Sequence, residues 1–171
     1  MRQCLTFPDG GYYTSKKNEG KDQFGKTGDF VTSPEISQIF GELVGIWFVA
    51  EWIAQGRKED GVEIIELGPG RGTLMADVLR VWPEAEEHRN RTGLWSADRV
   101  EQTIRKFKPM ANSIETVYLV EASKTLRNAQ KELLCGGVRL QPHDAGFQSQ
   151  SKQIRGTNIV WVEDINFKPK G

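Results

Sequence analysis

Apolar residues change their spacing several times along this chain, and each change marks an element. Ile36, Ile39, Phe40, Leu43, Ile46, Trp47, Ala50 and Ile53 recur three and four positions apart, which predicts a helix with a broad, mostly buried apolar stripe. Trp47 and Trp52 are assigned to that stripe as core packing. Ser33-Pro34-Glu35 starts the helix: serine caps it, proline has no N–H to leave unbonded in the first turn, and glutamate suits the positive end of the dipole. Gly56 and Arg57 stop it. Val62 to Leu67, with Ile64 and Ile65 inside it, reads as a buried parallel strand running into a glycine cluster. Leu74, Val78 and Val81 return to helical spacing, and Pro83 closes that helix. Thr116 to Val120 is a second strand, followed by a helix from Ser123 to Leu134 that Gly136-Gly137 ends. Ile159 to Val162 is a third strand and Val138 to Leu140 a weaker fourth, with the polar stretch Gln141 to Gly156 between them as an inserted loop. Lys16 to Lys26 reads as a loop, and Glu84 to Ser113 as a charged insertion with a weak amphipathic section around Val100 to Phe107. Strand, turn and helix thus follow one another twice, as in the βαβ units of a doubly wound α/β sheet.

Composition narrows the class. A length of 171 residues suits one domain, complete or part of a larger one. Lys plus Arg number 23 and Asp plus Glu number 23, a balance that argues against a nucleic-acid partner or an anionic lipid surface. The longest apolar stretch, Leu43 to Ala50, is far short of the roughly 18 to 20 residues that cross a bilayer, so no membrane span is expected. Two cysteines and two histidines cannot build a disulfide framework or a His/Cys metal cage, so no metal is expected.

The chemistry concentrates in Glu66-Leu67-Gly68-Pro69-Gly70-Arg71-Gly72-Thr73, set between a strand and a helix. Glycines let the backbone approach a ligand closely, and the helix start offers free N–H groups to something polar or anionic. A dinucleotide fingerprint would need a third glycine where Thr73 stands, which disfavours NAD and FAD. A phosphate-binding P-loop would need a lysine after Gly72, which excludes ATP by that route. Glu121 ends the second strand, where an acid can accept hydrogen bonds from both ribose hydroxyls; the competing reading is a solvated strand end. Gly72 and Glu121 stand 49 positions apart, so the crossover between them must carry the insertion.

The motif E-x-G-x-G-x-G resembles motif I of Rossmann-like methyltransferases that bind S-adenosylmethionine. With Gly28-Asp29-Phe30, the run Thr32 to Glu42, and Leu119-Val120-Glu121, it resembles the MidA-like methyltransferase family, whose mitochondrial members act as complex I assembly factors and protein arginine methyltransferases. Gly11-Tyr12-Tyr13 and Trp161 to Ile165 add weaker support. The resemblance implies a class I methyltransferase fold of which the N-terminal half of the doubly wound sheet is present. Residues 1–32 would be an N-terminal family segment and 33–171 a partial cofactor-binding domain, incomplete at both ends because Met1 to Leu5 resemble a segment inside the family pattern and that pattern continues beyond Asp164. It also implies S-adenosylmethionine as cofactor, a complex I core subunit as protein substrate, and the mitochondrial matrix as location, although residues 1–20 carry no Arg-rich presequence.

On that resemblance, Glu66, Gly68, Gly70 and Gly72 would admit the methionyl portion, Glu121 would hold the ribose and Asp164 would meet the adenine amino group. Thr32 and Ser33 would approach the cofactor, although helix capping accounts equally for Ser33. Arg71 fits either the methionyl carboxylate or the surface. An arginine acceptor needs carboxylates to orient its guanidinium. No catalytic residue is assigned, but Asp29, Glu35 and Glu42 are candidates, with dipole complementation and a solvated helix face as competing roles for Glu35 and Glu42. The leading functional reading is an arginine methyltransferase, against a non-catalytic cofactor-binding or partner-binding fragment and a nicotinamide-dependent oxidoreductase. With sheet on one side only, the first strand is expected to present an unpaired edge and the first helix to expose apolar surface, so that the chain alone would not work as a methyltransferase.

Overall fold

The computed structural model describes residues 4–5, 7, 10–13, 31–82, 107–154 and 156–166. The elements are α1 (Ser33–Ile36), α2 (Gln38–Ala54), β1 (Val62–Leu67), α3 (Thr73–Arg80), β2 (Ile114–Val120), α4 (Lys124–Cys135), β3 (Gln141–His143), β4 (Gly146–Gln150) and β5 (Asn158–Val162). Residues 107–113 are helical and run directly into β2. The expectations for residues 16–30 and 84–106, Asp29 among them, lie outside the described residues.

One sheet has the order β1-β2-β5-β4-β3. β1, β2 and β5 are parallel, and β4 and β3 continue the sheet antiparallel. The three parallel strands lie side by side in chain order with β1 at the edge, the arrangement found on one side of a doubly wound sheet, where the first strand marks the reversal of order. The fold is therefore a Rossmann-like α/β architecture. Leu67, Val120 and Val162 are register partners, so the three strands end level and their following residues share one rim.

Strand parity sets the layers. Ile64, Val117, Leu119, Ile159 and Trp161 face the helices and form the main core with Val49, Trp52, Met75, Val78, Leu79 and Leu134. On the opposite face Tyr118, Val160 and Val162 make a small cluster, while their β1 neighbours Ile65 and Leu67 are exposed.

The first helix differs from expectation in two ways. Ser37 is extended (φ −152°, ψ 125°) and divides it into α1 and α2, its Oγ accepting the Ile39 N–H at 3.3 Å. Thr32, not Ser33, holds the N-cap position of α1, and its own N–H donates to the Glu35 carboxylate at 3.4 Å. The large apolar stripe is also not the buried face: Ile39 is 64% and Trp47 58% exposed. Burial falls on Gly41, Gly45, Val49 and Trp52, which share their own helical face. Glycine is what permits this contact, because a Cβ on Gly41 would lie 2.4 Å from the Asp77 Cβ of α3.

The polar stretch after α4 also departs from expectation. Val138 to Leu140 is not a strand; the chain pairs from Gln141 onward in the β3–β4 hairpin, within the stretch read as a loop. Its residues are polar because it lies at the margin of the sheet, and Pro142 is tolerated because β3 is the edge strand. β1 and β5 otherwise match the predicted strands, β5 starting one residue early, and Ser123 caps α4 by accepting the Leu126 N–H at 3.4 Å.

Candidate cofactor site

The turn after β1 meets the rim formed by the parallel strands. Gly68 extends the ladder by donating its N–H to the Val120 carbonyl at 3.1 Å. Its φ is +64° and a Cβ there would meet nothing within 4 Å, so this glycine is required by the backbone and faces open space. Gly72 differs: it precedes α3, and a Cβ would lie 3.1 Å from Gln130 Cγ, so its smallness lets α4 approach. Gly70 accepts a hydrogen bond from Gln130 Nε2 at 2.7 Å, while Gln130 Oε1 accepts the Trp161 indole N–H at 2.8 Å. One buried amide thus ties the turn to β5.

Against the turn lies a cavity of about 260 Å³ whose lining includes Thr32, Glu35, Glu66, Gly68, Gly70 and Arg71. Glu66 pairs with Leu119 in register and so points to the helix-covered side of the sheet. Its Oε2 is buried without a hydrogen-bond partner among the described residues, and burial pushes its carboxyl pKa up to about 7. An unmet buried acceptor costs about 1 to 3 kcal/mol, which a ligand N–H donor would relieve.

Glu121 follows β2 on the same rim, its N–H donating to the Val162 carbonyl at 2.9 Å. It is buried, not a solvated strand end. Oε1 accepts the Ser123 N–H at 2.7 Å, and burial raises its pKa against the lowering effects of that bond and of Arg127. Asp164, two residues beyond β5, accepts the Asn166 N–H at 2.8 Å and lines a different cavity of about 580 Å³ with Arg127, His143 and Glu163.

The structure therefore brings Thr32, Glu66, Gly68 and Gly70 around one cavity and sets Glu121 beside it on the rim. Ser33 does not line that cavity, Gly72 packs against α4, and Asp164 borders a separate space. Glu42 accepts a hydrogen bond from the Gln38 amide on its own helix and lines neither of these cavities. Gln130 was missed by sequence reasoning. Its one signal is a polar side chain one turn beyond Leu126 on the face that α4 buries.

An open glycine turn at the first strand, an acid beside it whose Oε2 has no hydrogen-bond partner among the described residues, and a second acid on the next strand form a candidate cofactor site on the rim of the parallel strands. Comparison with known proteins finds relatives of one kind. Residues 43–95 match the family described as "Putative S-adenosyl-L-methionine-dependent methyltransferase". The whole chain is 57% identical to the mouse (Mus musculus) protein arginine methyltransferase NDUFAF7, mitochondrial, covering 34% of that protein. It is 39% identical to the human (Homo sapiens) protein of that name, covering 33% of it, and 38% identical to the zebrafish (Danio rerio) one, covering 34%. The chain aligns along its whole length with these relatives, and it spans about a third of their own length. Their names place those relatives in mitochondria.

Proposed function

We propose that this chain forms the S-adenosylmethionine-binding part of a protein arginine methyltransferase of the mitochondrial matrix, with a complex I core subunit as acceptor. The observation that carries the reading is the buried Glu66 Oε2, without a hydrogen-bond partner among the described residues, beside the open space at Gly68. In this reading Glu66 accepts the ammonium of the methionyl portion, Gly68 and Gly70 give it room, and Glu121, oriented by the Ser123 N–H, accepts the ribose hydroxyls. Thr32 closes the cavity from the α1 side, and Asp164 meets the adenine amino group. When bound, the cofactor supplies a methyl on a sulfonium, which passes to an acceptor nitrogen as that nitrogen loses a proton and the C–S bonding electrons remain on sulfur. The protein's share is to hold donor and acceptor in line and exclude water.

A second reading, a non-catalytic partner-binding piece, draws support from the exposed apolar stripe of α1–α2 and from β1, which is an edge strand among the described residues. Calorimetric titration with S-adenosylmethionine and NAD separates the cofactor classes. Saturable heat is expected with the sulfonium alone; NAD binding, or no binding of either, would overturn the proposal.

A further inference from the structure

Gln130 is fully buried on α4 and lines neither the cavity at the glycine turn nor the one beside Asp164. Its side-chain amide nevertheless reaches all three parallel strands or the residues that follow them. Nε2 donates to the Gly70 carbonyl after β1 at 2.7 Å, and Oε1 accepts the Trp161 indole N–H on β5 at 2.8 Å. A third bond goes to the Glu121 carboxylate after β2: burial raises the pKa of that acid, while the Ser123 N–H, Arg127, the Gln130 side chain and the Ala122 N–H lower it. A carboxylate only accepts, so its bond from Gln130 comes from Nε2, the donor atom of the amide. The partners also fix which way the amide faces, because a carbonyl oxygen takes a donor and an indole N–H needs an acceptor.

The Gly70 bond acts on the ligand side of the turn. With no Cβ to select one orientation, a glycine at φ +57° leaves its peptide able to rotate. Turned toward the cavity, the Gly70 carbonyl would face the carboxylate of an amino-acid ligand and repel it; held by Gln130, it faces α4. Glu121 depends less on this amide, because its Oε1 also accepts the Ser123 N–H at 2.7 Å. Gln130 therefore bears on the spacing between the turn and the second acid more than on that acid alone. Trp161 holds the amide from the other side, and Gly72 leaves room for it.

We propose that Gln130 is a positioning residue that keeps the glycine turn and Glu121 in mutual alignment, so that the amino-acid and nucleoside portions of one ligand are bound together. This inference rests on the S-adenosylmethionine-binding reading above. Its test compares the wild-type chain with two variants, after thermal melts establish that each is folded. Gln130→Met fills similar space without polar groups that hydrogen-bond the turn, and Trp161→Phe removes the indole N–H from a residue that lines neither cavity. Calorimetry measures affinity for S-adenosylmethionine and for 5′-methylthioadenosine, which keeps the nucleoside and its sulfur but has no amino-acid portion. Gln130→Met is expected to weaken S-adenosylmethionine binding about tenfold or more and 5′-methylthioadenosine binding less than about threefold, with Trp161→Phe moving the ratio the same way by a smaller factor. A general loss of packing would weaken both ligands alike, so the ratio separates positioning from a structural role. The indole N–H resonance of Trp161 should also shift when S-adenosylmethionine binds the wild type, and shift less with 5′-methylthioadenosine. An unchanged affinity ratio in Gln130→Met would overturn the inference and leave the cofactor reading standing. If Gln130→Met does not fold, an unchanged ratio in Trp161→Phe would overturn it instead. A wild-type chain that does not bind S-adenosylmethionine would overturn the cofactor reading, and this inference with it.

Discussion

Glu66 links pH to stability and ligand binding through a single oxygen. Burial raises its pKa from 4.5 to about 7, so the folded chain holds this proton more tightly than the unfolded chain does. The stability tied to that proton is complete below pH 4.5 and is lost as the pH rises through about 7. Glu66→Gln removes the titration, so it should match the parent at pH 4.5 and exceed it above pH 8 by about 2 to 3 kcal/mol; urea melts from pH 4 to 9 check this. A ligand ammonium on Oε2 would reverse the shift, so cofactor binding near pH 7 should release a proton, detected as heat that varies with the ionisation enthalpy of the buffer. Gly70→Val should abolish binding, because a β-branched residue fits poorly at φ 57° and fills ligand space. Glu121→Ala should weaken binding by about 1 to 3 kcal/mol through lost charge-assisted bonds, read by calorimetry. The placement of Glu66 and the glycines between strand and helix was legible from spacing alone, as was the position of Glu121 at a strand end. The burial of Glu121 was not, because it depends on α4 and β5 closing over it.

At the scale of elements, α2 shows why apolar periodicity can select the wrong face. The stripe of Ile39, Leu43, Ile46 and Trp47 is the stronger pattern, but Gly41 and Gly45 allow α3 to approach closely and so fix which side is buried. A hydropathy count gives glycine little weight, although here its small size decides the packing. Gly41→Leu should therefore cost about 1 to 3 kcal/mol by overpacking against Asp77, whereas Leu43→Ser on the exposed face should change stability by less than about 0.5 kcal/mol. Thermal melts of the two variants would show the reverse order if the stripe were the core. The β3–β4 hairpin was missed for a related reason: its pairing comes from main-chain hydrogen bonds at the sheet margin, where side chains need not be apolar.

For the whole molecule, the three parallel strands and the helices after the first two were legible, and among the described residues β1 is an edge strand. That edge carries exposed Ile65 and Leu67, and the apolar stripe of α1–α2 is a second exposed apolar surface. Edges of this kind pair readily with other chains. Sedimentation should show association that rises with concentration, and Ile65→Lys should reduce it; a monomer across the micromolar range would contradict that expectation.

The Gln130 bridge has a consequence for the order of assembly. Gly70, Gln130 and Trp161 belong to successive parts of the chain, so the amide can grip the turn and the indole together only after β5 has docked. The strand-turn-helix unit can form earlier from contacts near in sequence, but its turn then lacks the support that sets its shape. During synthesis or refolding, secondary structure should appear before competence to bind the cofactor. Stopped-flow refolding that follows far-ultraviolet ellipticity and ligand capture in parallel should resolve two phases. In Gln130→Ala the first should keep its rate while the second loses amplitude, because the last strand could dock without restraining the turn.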